Sequence, residues 1–342
     1  MNPGRLQNVI RSQIDTLRRE GVIDAEQYGA LVQRYPASRW DFSSLGRWFL
    51  FFGALSAAGG LIVLGSTIFE LSMENLATLL SIVTFACFIG GFHLGGKGLS
   101  WTSRSLELLG GLVLIALTFT LGVIFSSGSG NWPMLLLIDL GILLPLAYWR
   151  RNVLLLVLNV IVFFTWFGGV TGYISGWGAY FFGMNYPLRF LVVGLLMVGM
   201  SLLHRQAEQD RLRNYEGFFK VWLSGGVFFS EMSLWLMSLF GNFGRIWDGH
   251  RETEGELVFF GLLWATFNAI LLWLGSRYQV RMLRGYAITF LIIQGYTLYF
   301  WKIARHLGFV LATFVAGAVT LALVIHLERN RRARRDVDEA LD

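Results

Sequence analysis

Ten apolar runs, each of roughly 17–23 residues, succeed one another along this 342-residue chain, and a helix of that length crosses the hydrocarbon of a bilayer. They lie near residues 47–69, 76–96, 107–126, 132–149, 152–170, 187–204, 218–240, 257–275, 284–302 and 306–327. In lipid each run must satisfy its own backbone groups, which dictates helices. The expected fold is an all-α, polytopic integral membrane bundle of about ten transmembrane helices over 47–327. A short cytoplasmic helical hairpin over 1–40 precedes it, and a basic cytoplasmic tail over 328–342 follows. Only 15% of the residues are charged, and these crowd into islands between the runs. A soluble chain of this size would need a charged surface of ordinary density.

The formal net charge of +6 is therefore a topology signal and implies no nucleic-acid partner. With the N-terminus inside, 23 of the 28 basic residues fall on the cytoplasmic side. Arg189, Arg245, Arg251, Lys302 and Arg305 remain outside. Basic residues are retained on the cytoplasmic side of membrane proteins, so both termini are expected there. The tail HLERNRRARRDVDEALD is suited to lie beside anionic lipid. The first 40 residues contain no apolar stretch of signal-peptide type. No cleavable leader is expected, and insertion falls to the first hydrophobic helix. The single cysteine, Cys87, sits in an apolar run, which excludes an intrachain disulfide.

The N-terminal module reads as two short helices. In LQNVIRSQIDTL, Leu6, Val9, Ile10, Ile14 and Leu17 recur at helical spacing. Gly21 is placed to stop that helix. Asp24, three residues before Gln27, starts a second helix with a capping-box pattern, and Pro36 ends it. Such a short pair rests on something, either the membrane domain of the same chain or a docking partner.

The order of LRREGVIDAEQYGALVQRY, then SLGRWFLFFGALSAAGGLIVLGS, then closely spaced apolar helices resembles a prokaryotic predicted-membrane-protein family known as domain of unknown function 2157. The resemblance covers the first half of the chain and is carried chiefly by the EGVIDAEQ turn. It implies a bacterial inner-membrane protein, and it supplies no activity and no catalytic residues.

Polar groups at membrane depth are the informative minority, because a carboxylate at a helix centre costs about 2.5–3.5 kcal/mol on insertion scales. Asp139 falls near the middle of the fourth run and Glu231 near the middle of the seventh. Asn159, Asn268 and Gln294 are central in the fifth, eighth and ninth. If those faces converge they form a polar layer where secondary transporters place substrate and coupling-ion sites. The amides also suit plain interhelical hydrogen bonding. The carboxylates, with no Lys or Arg at the same depth, are either protonated, or facing a hydrated cavity, or holding a cation.

Three histidines, His93, His204 and His326, fall at cytoplasmic helix ends, where two imidazoles could in principle ligate a haem. A helix-end histidine is more ordinarily an interfacial residue. No cofactor and no metal is therefore assigned. Gly53 with Ala57, Ser56 with Gly60, and Gly91 with Gly95 are small-xxx-small pairs that permit close helix approach. Trp149, Arg150 and Arg151 alone separate the fourth and fifth runs, predicting a tight antiparallel pair. Ten helices also fit a five-plus-five inverted repeat, weakly echoed by FLFFG at 49–53 and FLVVG at 190–194.

Two outer connections are longer than the rest. Residues 169–187 are uncharged and aromatic, fitting the headgroup region. Residues 241–256 are acidic, and Asp248, His250, Glu252 and Glu254 lack regular metal-ligand spacing. HExxH, phosphate-loop and GxSxG templates are all missing, so an enzyme is disfavoured. The expected function is proton- or cation-coupled transport of a small solute or lipid-like molecule. The alternative is a non-catalytic scaffold or accessory subunit. Its partners would be membrane lipids, and a protein held through the hairpin or the aromatic outer loop.

Overall fold

The computed structural model describes residues 71–242 apart from 127, 179, 211 and 216, and residues 254–303 apart from 279. It also describes 42–65, 22–34, and scattered positions over 10–18 and 308–325. Ten helices have assigned bounds: α1 (Ala25–Arg34), α2 (Phe42–Val63), α3 (Met73–Gly96), α4 (Ser100–Ile124), α5 (Pro133–Arg150), α6 (Val153–Ile174), α7 (Tyr186–Asp210), α8 (Phe218–Phe240), α9 (Glu254–Arg277) and α10 (Arg281–Leu298). Residues 310–318 are helical as well. There is no strand among the described residues, only an isolated bridge between Phe181 and Met184.

Among the described residues seven helices, α3 to α9, are long and apolar enough to cross a membrane. Of the other predicted runs, 47–69 and 306–327 extend over residues outside those described, and 284–302 is not among these seven. For α10 the reason is visible, since Arg281 and Arg284 occupy its first turn and Gln294 lies further along. The basic tail, 328–342, lies outside the described residues.

The first helix of the N-terminal hairpin lies mostly outside the described residues, but the start of the second is described. Gln27 N–H donates to Asp24 Oδ1 at 2.7 Å, and Asp24 N–H donates to Gln27 Oε1 at 3.2 Å. This is the reciprocal capping box that the Asp24-to-Gln27 spacing predicts.

The chain divides into two compact units, residues 1–173 and 174–342. In the first, Leu76 and Leu80 of α3 pack with Val113 and Leu117 of α4 and with Ala58 of α2. The α3/α4 seam is close at Gly91 and Gly95, as their spacing predicts. A Cβ on Gly91 would lie 2.7 Å from Glu107 Cγ, and one on Gly95 would lie 3.0 Å from Ser103 Oγ. At Gly53 and Gly60 of α2, by contrast, a Cβ would meet nothing within 4 Å. Those two small residues do not mark a close approach.

The turn between α5 and α6 is as short as predicted, with Arg151 left-handed at φ 51°. The two helices also meet at their far ends, where a Cβ on Gly169 of α6 would lie 3.0 Å from Pro133 Cγ of α5, and α4 touches both. A Cβ on Gly111 of α4 would touch Leu143 of α5 and Leu155 and Leu158 of α6, at 3.0–3.3 Å. Asn152 pins the turn to α4 through its amide, which donates to Arg104 O at 3.1 Å and Glu107 Oε2 at 2.8 Å.

In the second unit, α7 and α8 approach backbone to backbone at Gly194 and Gly226. A core of Leu191, Leu234, Met237, Phe260, Trp264 and Phe290 joins α7, α8, α9 and α10. One end of α7, α8 and α9 is latched by amides. Asn185 N–H donates to Asn242 Oδ1 at 2.9 Å, Asn185 Nδ2 donates to Gly241 O at 2.8 Å, and Asn242 N–H donates to Glu256 Oε1 at 2.6 Å. Beyond α10, the Tyr299 hydroxyl donates to Ala312 O at 2.8 Å, fixing the start of helical residues 310–318.

Candidate functional site

The apolar run of α8 places Glu231 in the core of the second unit with no exposed surface. Trp264 and Asn268 stand one turn apart on α9, so both side chains leave one face of that helix. Trp264 Nε1–H donates to Glu231 Oε2 at 2.6 Å. Asn268 Nδ2 donates to the same oxygen at 3.3 Å and to its own helix at Trp264 O, 3.1 Å. The other carboxylate oxygen, Glu231 Oε1, has no hydrogen-bond partner, and neither has Asn268 Oδ1. A buried oxygen left without a donor costs about 1–3 kcal/mol. Each of the two residues therefore keeps one buried oxygen without a donor, in a pair joined through Asn268 Nδ2 and Glu231 Oε2. Among the described residues Glu231 forms no ion pair.

Gln294 of α10 belongs to the same group of helices but serves as a clamp. Its Nε2 donates to Gly261 O of α9 at 2.8 Å. Three of the five candidates named from sequence, Glu231, Asn268 and Gln294, thus lie in this unit, and two of them touch.

The other two lie in the first unit. Asp139 of α5, also without exposed surface, has Thr118 of α4 as its partner, the hydroxyl standing 3.0 Å from each carboxylate oxygen. Asn159 of α6 folds back on its own helix, donating to Leu155 O at 2.8 Å and leaving its Oδ1 without a partner. Among the described residues, no hydrogen bond links Asp139 to Asn159.

Two of the three histidines named from sequence are among the described residues. His93 is exposed in the last turn of α3. His204 Nδ1 stands 2.9 Å from Glu208 Oε1. Glu208 in turn accepts the N–H groups of Gly217 and Phe219 at 2.9 and 2.7 Å, capping the start of α8. His326 lies outside the described residues, as do Asp248, His250 and Glu252 of the acidic connection. No cluster of three His, Cys, Asp or Glu side chains able to hold a metal is found among the described residues.

Several important groups were missed from sequence. Glu107 is 1% exposed, pairs with Arg150 Nε at 2.7 Å and accepts from Asn152. The third predicted run starts at residue 107, and Glu107 is not singled out by it. The helix in fact starts at Ser100, placing Glu107 two turns inside. Arg189, expected in an outer connection, is likewise buried, its Nε donating to Met184 O at 2.9 Å and its guanidinium 4.4 Å from the Tyr186 ring centre. Thr118 and Trp264 carried no signal of their own, because both residue types are ordinary in spans.

Residues 15–156 match the model of a family described as Predicted membrane protein (DUF2157), in agreement with the resemblance at the EGVIDAEQ turn. No curated protein and no solved structure matches the chain.

Proposed function

We propose that this multi-pass membrane protein moves a small solute or lipid-like molecule and that Glu231 carries the proton or cation to which that movement is coupled. The observation that carries this reading is the unfilled pair of oxygens, Glu231 Oε1 and Asn268 Oδ1, buried between α8 and α9. Intramembrane carboxylates are costly and are retained where they exchange protons or ions. In this reading all ten apolar runs span the membrane, both termini are cytoplasmic, and the membrane is the prokaryotic inner membrane.

The scaffold reading is supported by a different observation. Glu231 Oε2 is fixed by two donors, and the neighbouring cleft between α8 and α10 is lined by Trp235, Leu239 and Thr297 rather than by Glu231. A carboxylate that never exchanges would simply tie α8 to α9.

Melting in detergent separates the two. A proton bound only by the folded chain stabilises it more as pH falls, and a cation does so as its concentration rises at fixed pH. The wild type is expected to respond to one of these variables. Glu231→Gln, which keeps an oxygen to accept from Trp264 and Asn268 but has no titrating group, is expected to melt no lower than the wild type and to lose that response. An equal response in both proteins removes Glu231 as the coupling group and leaves the scaffold reading.

A further inference from the structure

In the first unit, α4 and α5 part towards the connection that joins them and leave a cleft of about 550 Å³. Its walls are built rather than incidental. Trp132 is wedged against α6, where a Cβ on Gly169 would lie 2.6 Å from the indole, and its ring stands 6.5 Å from that of Phe119. Gly122 closes one side, since a Cβ there would lie 2.5 Å from Leu135 Cδ1. The remaining walls combine well-exposed apolar residues, Phe125 at 78% and Val123 at 62%, with the polar Ser126, Ser129 and Asn131 near the connection. No charged residue lines the cleft.

Its polar contacts are few and their sense can be read. Thr118 lines the deep part. Its single proton is committed either to Asp139, 3.0 Å away, or to Ile115 O, 2.8 Å away. With that proton engaged, the Thr118 oxygen can only accept from an occupant. The fully buried Asp139 carboxyl stands behind it. Near the connection, Ser126 and Ser129 accept backbone N–H groups from Gly128 and Asn131, so their own hydroxyl protons are left to donate. Thr118 and Ser126 are eight positions apart, about 12 Å at helical rise.

We propose that the α4/α5 cleft is a binding site for an uncharged, hydrocarbon-rich molecule bearing a hydroxyl, whose O–H is accepted by Thr118. The absence of charge selects against ionised amphiphiles, and the aromatic and aliphatic walls take the hydrocarbon. Thr118 distinguishes an alcohol from a hydrocarbon of the same shape. Nothing in this site depends on Glu231, and each of the two proposals can fail alone.

The test is photolabelling of the full chain in detergent with a diazirine-bearing long-chain alcohol, followed by peptide mapping. Labelling is expected to concentrate on the peptides that carry Phe119 and Leu135. Unlabelled dodecanol should compete it away, and methyl dodecyl ether, which has no proton to give, should compete about three- to tenfold less well, the worth of one hydrogen bond. Dodecanoate at alkaline pH should compete least. In Thr118→Val the alcohol and the ether should become equal. The competition in the wild-type protein decides the matter even if that variant fails to fold. Labelling spread evenly over the lipid-facing helices, or alcohol and ether competing equally in the wild type, overturns the site. Preferential competition by dodecanoate overturns the claim that its occupant is uncharged.

Discussion

Glu107→Ala lowers the stability of the first unit by about 3–5 kcal/mol, the largest loss expected from any single side chain described above. The carboxylate is buried and serves two partners from one turn of chain, Arg150 Nε at 2.7 Å and Asn152 Nδ2 at 2.8 Å. Truncation strands both. Asn152 has no exposed surface and Arg150 is only one-fifth exposed, so water restores little of what is lost. The carboxylate also holds the α5–α6 turn against α4, and its stem fills the space left by Gly91. Glu107→Gln keeps one acceptor for Asn152 while removing the charge facing Arg150, and should fall between the wild type and the alanine variant. Melting of both variants alongside Arg150→Ala and the double mutant checks this. A coupling energy near zero between positions 107 and 150 would show that the pair contributes nothing to stability.

Gly226→Ala is the second large effect, and its sign is opposite to that of most glycine-to-alanine changes in helices. Alanine ordinarily favours a helix by about 1 kcal/mol over glycine. At Gly226 the added methyl would lie 2.7 Å from Gly194 O and 2.9 Å from both Val198 N and Val198 Cγ2. Two of those three neighbours are backbone atoms, which cannot rotate away, so α7 and α8 must separate. Overpacking of this kind costs about 1–3 kcal/mol. Gly199→Ala on α7 is the control, because a Cβ there meets nothing within 4 Å, and it should change stability by less than about 0.5 kcal/mol. If the two variants melt alike, the close α7/α8 approach is not present in the protein.

These expectations show where the sequence was legible. Run lengths place the long helices because the bilayer sets a length that composition must meet. Among the described residues seven helices are long and apolar enough to span, and two of the other three runs, 47–69 and 306–327, extend over residues that are not described. Glu231 and Asn268 stand out in the sequence as polar residues within apolar runs, and the two are in contact. Which groups would meet them was not readable, because facing depends on helix rotation, which a nearly uniform apolar surface leaves unspecified. Trp264 supplies the shortest hydrogen bond to Glu231 and reads in sequence as one more aromatic. Thr118 is hidden similarly behind Asp139. Glu107 stands at the first residue of the predicted run, whereas the helix starts seven residues earlier and carries it inside.

Glu231 can be observed directly by infrared difference spectroscopy between acid and alkaline buffers, repeated at low and high sodium. The account predicts a carboxyl signal in the wild type that is absent from Glu231→Gln and still present in Asp139→Asn. It should appear as the acid C=O stretch if a proton is exchanged, and as a sodium-dependent shift of the carboxylate bands if a cation is. Superimposable difference spectra from the wild type and Glu231→Gln would contradict it, leaving Glu231 as a fixed tie between α8 and α9.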